Sequence, residues 1–146
     1  MKWLLLAAAP SAFLLATTNV VAMEVGSFPM VWVIPLALYL GSFIVAFQGE
    51  SKYPWQTQLA KYVPELAVLA LVLSHLSSAA LWALPALFIV FFLLCLIAHR
   101  ALYMARPHPS RLSTFYLSIS LGGWLGGLSV SLVAPRVFNG LQEYIW

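Results

Sequence analysis

Charged side chains are scarce in this chain: of its 146 residues, 8% are Asp, Glu, Lys or Arg, against 63% that are hydrophobic. A water-soluble globule normally carries about a quarter charged residues. Too little polar surface is present to cover such a globule, so lipid must be the main solvent. Cysteine is nearly absent as well. Cys95 stands alone in the middle of an apolar block, which excludes an internal disulfide and suits a small apolar filler. Basic runs are missing too. The net charge of +3 comes from residues spread over separate loops, and this excludes a nucleic-acid patch. The sequence also lacks a nucleophile–base pairing, a carboxylate pair, a phosphate-cradling glycine loop and any ligand set at metal spacing. An enzyme is therefore not expected, and neither metal nor cofactor is; a bound lipid or pigment is compatible with the composition.

What the chain has is long apolar blocks, and a charge pattern between them. Five spans are expected, at roughly 3–22, 28–47, 64–79, 81–104 and 112–134, within one transmembrane domain covering 1–146. Six of the seven Lys and Arg residues fall in alternate stretches: Lys2 before the first block, Lys52 and Lys61 between the second and third, and Arg100, Arg106 and Arg111 around the fourth-to-fifth link. Only Arg136, after the last block, departs from this pattern. Cations flanking membrane helices are retained on the cytoplasmic side. The pattern thus predicts an all-α, polytopic helical bundle of about five transmembrane helices, N-terminus on the cytoplasmic side and C-terminus on the opposite side. The first block, with Lys2 ahead of it and Ala22 at its end, has the outline of a secretory signal. Its length of about 20 residues matches a full crossing rather than a signal core, and retention as a helix is expected.

Local signals agree with these boundaries. Ser74, His75, Ser77 and Ser78, followed by Pro85, interrupt an apolar tract too long for one crossing and predict a turn. Pro64 and Glu65 read as a helical first turn, where proline forfeits no hydrogen bond and a carboxylate meets the positive end of the dipole. Trp3, Tyr53, Trp55, Tyr62, Tyr103 and Tyr116 gather near the inner boundary, and Trp32, Trp82, Tyr144 and Trp146 near the outer one, as two aromatic belts. In the last block, Ser118, Gly122 and Gly126 recur every four residues, as do Gly123, Gly127 and Ser131. Two adjacent strips nearly devoid of side chains let a neighbouring helix approach closely. One strip is expected to face this chain and the other a partner, with Trp124 as a packing wedge between them.

Few polar groups fall within or beside the apolar blocks, and those that do are functional candidates, because each is costly in lipid unless partnered. Thr17, Thr18, Asn19 and Glu24 cluster around the end of the first block. They read either as a helix end with a loop carboxylate or as an outer polar pocket for a cation or an amine. His75 and His99 stand at opposite ends of the fourth-span hairpin, about 25–30 Å apart if helical, so they cannot share a metal ion. Either alone has the chemistry to ligate a haem or chlorin, although an interfacial or hydrogen-bonded histidine is the simpler reading. His108, in Arg106-Pro107-His108-Pro109, reads as a solvated loop residue.

Two stretches carry a resemblance. Thr17-Thr18-Asn19, Glu24-Val25, Pro29, Trp32 and Pro35-Leu36-Ala37-Leu38-Tyr39-Leu40 form the first; Arg106-Pro107, Phe115-Tyr116-Leu117, Ser120-Leu121-Gly122-Gly123, Leu125-Gly126-Gly127, Ala134-Pro135, Phe138 and Glu143-Tyr144 form the second. In order and spacing they resemble the membrane module of bacterial fused transporter-like/spermidine synthase proteins, over nearly the whole chain. His99 and Leu102 match a His-x-Glu-Leu element of that family, with Ala101 in place of the Glu, while Glu24 keeps a carboxylate where the family has Asp. The family's soluble aminopropyl-transferase-like domain has no counterpart in this sequence, so the resemblance implies membrane packing rather than synthase chemistry. The resulting expectation is a non-catalytic scaffold or accessory subunit, in contact with the bilayer and with other membrane proteins. The alternative is a small transporter or polyamine-binding module.

Overall fold

The computed structural model describes the backbone of residues 1–25, 30, 32–48, 58, 60–76 and 82–142, and the side chains of these except 25 and 133–142. Lys52, Tyr53, Trp55, Ser77, Ser78, Tyr144 and Trp146 lie outside the described residues, as does the side chain of Arg136. Five α-helices are present among the described residues, and no strand: α1 (Lys2–Val25), α2 (Val33–Phe47), α3 (Val63–Leu76), α4 (Ala83–Met104) and α5 (Leu112–Gln142). Short 3₁₀ turns, Ala60–Tyr62 and Pro109–Arg111, lead into α3 and α5. Each helix occupies one of the apolar blocks.

Proline and the absence of caps explain how these helices start. Trp32 and Trp82 precede α2 and α4 in right-handed helical geometry without a side-chain cap. Pro35 and Pro85 each sit third in their helix, within the first turn, whose N–H groups have no intrahelical acceptor in any case. Pro64 occupies the second position of α3 with Glu65 beside it. Pro10 stands in the interior of α1 and is buried, and Pro135 falls in the interior of α5.

α4 is the hub, with α1, α2 and α3 all packed against it, while α5 lies along α1 in the most extensive helix pair. Its inward face runs from Ala83, Leu87 and Val90 through Leu94 to Leu102. Leu73 of α3 joins the upper part of that face, with Phe13 and Val20 of α1 packed alongside. Side-chain pairs set the directions. Trp3 at the start of α1 donates Nε1–H to the carbonyl of Ala105, just past the end of α4, at 2.9 Å, so these two run antiparallel. Ser42 meets His99 at 3.0 Å and the ring of Phe47 meets that of Tyr103 at 5.3 Å, so α2 and α4 run parallel. Trp3 also packs edge-on against Phe115, with centroids 5.5 Å apart, so α5 starts level with α1. α3 packs on α4 after the link 77–82, as one arm of a hairpin. The described cations Lys2, Lys61, Arg100, Arg106 and Arg111 therefore collect at one end of the bundle, and Glu24 at the other.

Among the described residues, three helices are long and apolar enough to cross a membrane: Lys2–Glu24, Ala83–Met104 and Pro109–Leu132. Of the blocks at 28–47 and 64–79, residues 28, 29, 31 and 77–79 lie outside the described residues. α2 has 15 residues and α3 has 14, which is about 21–22 Å of helix against a hydrocarbon core of about 30 Å. The register of α2 differs from the expected layout. Counting back from the Ser42–His99 pair puts Trp32 level with Ile89, about 10 Å short of Trp82 along the bundle, so the two tryptophans do not share one level as an outer belt would require.

Candidate functional site

The most buried polar cluster lies between α2 and α4. Ser42 is 0% exposed and His99 is 1% exposed. Ser42 Oγ–H donates to the carbonyl of Tyr39 one turn back, at 2.7 Å. A hydroxyl has a single proton, so the 3.0 Å contact between Ser42 Oγ and His99 Nδ1 must have Nδ1–H as its donor. The imidazole is thereby fixed as the Nδ1–H tautomer, and Nε2 carries the lone pair. That nitrogen is buried without a hydrogen-bond partner. Tyr39 and Phe43 press on the ring nearly edge-to-face, at 5.0 and 5.1 Å between centroids, and Phe43 stacks on Phe47 at 4.3 Å. Tyr39, Phe43 and Phe47 recur every four residues, so one stripe of α2 supplies a wall around the imidazole. Chemically the site offers one oriented base enclosed by aromatic rings. The described residues contain no group of three His, Cys, Asp or Glu able to hold a metal. Cys95 lies one turn before His99 on α4, fully buried.

Below this cluster the cationic end is ordered by aromatic rings. Arg106 and Arg100 place their guanidinium carbons 4.6 and 5.0 Å from the centroid of Tyr103. Arg100 also donates to the carbonyl of Ala46, at 3.3 Å, near the end of α2. Guanidinium groups over π faces gain from the ring quadrupole, and here that contact holds two cations beside the last turn of α4, where the dipole favours positive charge. The bond from Trp3 to Ala105 satisfies a carbonyl left over at the same helix end.

The small-residue strips meet different surroundings. A Cβ built on Gly122 would come within 2.5 Å of the Leu4 carbonyl oxygen and 2.8 Å of the Ala7 Cβ, and one built on Gly126 would run into the backbone of Ala8. The strip of Ser118, Gly122 and Gly126 therefore faces α1, whose own small residues Ala7, Ala8 and Ser11 complete a close crossing. At Gly123 a Cβ would meet only Ser11 Oγ, at 3.3 Å, and at Gly127 it would meet nothing within 4 Å. Ser131 is exposed, and Trp124 between the strips is 62% exposed.

The four polar residues of α1 do not converge. Thr17 is buried, Thr18 bonds back to the Leu14 carbonyl at 2.7 Å, and Asn19 and Glu24 are exposed. At 100° per residue, Asn19 lies about 200° around the helix from Thr17, so the two face opposite sides. His75 is exposed in the last turn of α3, and His108 is exposed with Ser110 Oγ 3.5 Å from its Nδ1. Ser42 was not singled out by sequence. The one available signal was a lone serine inside the α2 block, within an aromatic repeat at helical spacing.

These features define an all-helical bundle with helices able to cross a membrane. Comparison with protein-family models, with curated proteins and with solved structures finds no match to the chain. The likeness to the membrane module of fused spermidine synthase proteins rests on the residues quoted for it alone.

Proposed function

We propose that this protein is a non-catalytic integral membrane subunit, a scaffold or accessory protein that packs against other membrane chains through the outer face of α5. The observation that carries this reading is the asymmetry of the two glycine strips. Gly122 and Gly126 are spent on α1, whereas Gly127 has nothing within 4 Å and is flanked by exposed Trp124 and Ser131. In lipid, a helix face without side chains gains by admitting another helix, through dispersion and Cα–H···O contacts. On this reading the helices cross a bacterial inner membrane in alternation, five times, with the cationic end in the cytoplasm and the C-terminus in the periplasm. Segregation of Lys2, Lys61, Arg100, Arg106 and Arg111 supports that orientation. The likeness to fused transporter-like/spermidine synthase proteins fits a membrane module separated from its soluble domain.

The alternative, a small transporter or polyamine binder, requires Thr17, Thr18, Asn19 and Glu24 to share one space, and the position of Asn19 on the opposite side of α1 from Thr17 speaks against it. The deciding experiment is purification in mild detergent of the wild type and of Gly127→Leu. A membrane chain that co-purifies with the wild type and is lost from a still-helical Gly127→Leu protein is the expected result. Monomer alone from both, with no accompanying chain, would overturn the proposal.

A further inference from the structure

Between the two crossing-length helices α4 and α5, the chain turns through Ala105 to Arg111. This turn encloses a cleft of about 500 Å³ lined by Arg106, Pro107, His108, Pro109, Leu112 and Tyr116. Because helices long enough to cross leave from either side of it, the cleft sits at the depth of lipid headgroups. We propose that it binds the phosphate of an anionic phospholipid.

Three independent features of the cleft select that ligand. Positive charge comes first. Arg106 lines it and Arg111 flanks it from the 3₁₀ turn, while the described carboxylates lie elsewhere: Glu24 at the far end of α1, Glu65 in the first turn of α3, neither in the lining. Second, Arg106 is preset. Its guanidinium carbon lies 4.6 Å from the Tyr103 centroid, a cation–π contact that restrains a side chain able to offer its N–H fork to a bidentate oxyanion. The prolines on both sides of His108 limit how far the loop can relax, so little ordering entropy is spent on binding. Third, the cleft has an apolar continuation. Leu112 and Tyr116 line it one turn apart on α5, Tyr116 being exposed, a track for an acyl chain attached to the bound phosphate. A free phosphate would use the cations but not the track, which is why the lipid is assigned.

The test uses the full chain in neutral detergent micelles and measures the Kd of a fluorescent phosphatidylglycerol, with a diacylglycerol of the same chain length as the phosphate-free comparison. Removing both charges in the double variant Arg106→Gln/Arg111→Gln is expected to weaken phosphatidylglycerol binding about thirtyfold, from the value of about one surface cation each, and to leave diacylglycerol binding unchanged. Arg106→Lys keeps the charge but loses the fork, and is expected to fall between the two. Both arginines are exposed, and helicity measured by circular dichroism should match the wild type. Lys61→Gln, at the same end but outside the cleft, should bind as the wild type does. The proposal is overturned if the double variant binds phosphatidylglycerol as tightly as the wild type, or if Lys61→Gln loses as much as it does. It is also overturned if inorganic phosphate at the lipid's own concentration displaces the probe, which would make the cleft a site for the free anion.

Discussion

A histidine whose Nδ1–H is tied to Ser42 while Nε2 faces no donor is held in place by one bond and several rings. Removing that bond has a predictable consequence. Ser42→Ala leaves the Nδ1–H without an acceptor in addition to the bare Nε2, which should cost about 1–3 kcal/mol, read as a lowered thermal midpoint in detergent. The double variant Ser42→Ala/His99→Leu removes both polar partners and should recover most of the loss, because an apolar pair in an aromatic wall leaves nothing unsatisfied. If Ser42→Ala costs as much in the His99→Leu background as in the wild type, the two residues are not coupled. This pair was illegible in the sequence for a physical reason. The partners stand 57 positions apart, and a serine within a helix is equally content bonding back to its own turn, as Ser74, Ser118 and Ser129 do. His99 was visible as a polar group within an apolar block; that a hydroxyl on α2 would fix its tautomer was not.

At the level of elements, the four-residue recurrence of Ser118, Gly122 and Gly126 was readable because helical period alone places those positions on one stripe. Which stripe faces this chain was not readable from α5 by itself. The missing information lay in α1, where Ala7, Ala8 and Ser11 form a matching low surface, and complementary small faces can be paired only once both helices are considered together. The two strips should respond oppositely to the same change. Gly126→Leu drives a side chain into the Ala8 backbone, which cannot rotate away, and a loss at or above about 1–3 kcal/mol is expected. Gly127→Leu has open space in front of it and should change stability by about 0.5 kcal/mol or less. Denaturant midpoints of the two variants, measured side by side, test the assignment; equal losses would mean that α1 does not cover the first strip alone. Helix boundaries were legible from prolines and apolar blocks, whereas the depth of α2 was not, since hydropathy reports where a helix is tolerated and packing decides its level along the bundle.

For the whole molecule, alternation of direction is what turns a list of helices into a charge-segregated object. The cations described at the starts of α1, α3 and α5 and the end of α4 are separated by up to more than a hundred positions, yet the packing collects them at one end. This is the arrangement the spacing of Lys and Arg anticipated, and it makes the topology testable by accessibility. In a Cys95→Ala background, which removes the one native thiol, single cysteines at Glu24 or His75 should react with a membrane-impermeant maleimide in intact cells. Cysteines at Lys61 or Ser110 should react only after the membrane is opened. Two outcomes would contradict the arrangement in different ways. Labelling at Ser110 and Lys61 but not at Glu24 or His75 would invert the molecule while leaving its segregation intact. Labelling at Lys61 without Ser110 would put the start of α3 on the opposite side from the start of α5, so that α3 and α4 could not cross as a hairpin. Five alternating crossings survive only if both cationic sites share one compartment, because every membrane-crossing helix added to or removed from the stretch between them exchanges the side on which the next loop emerges.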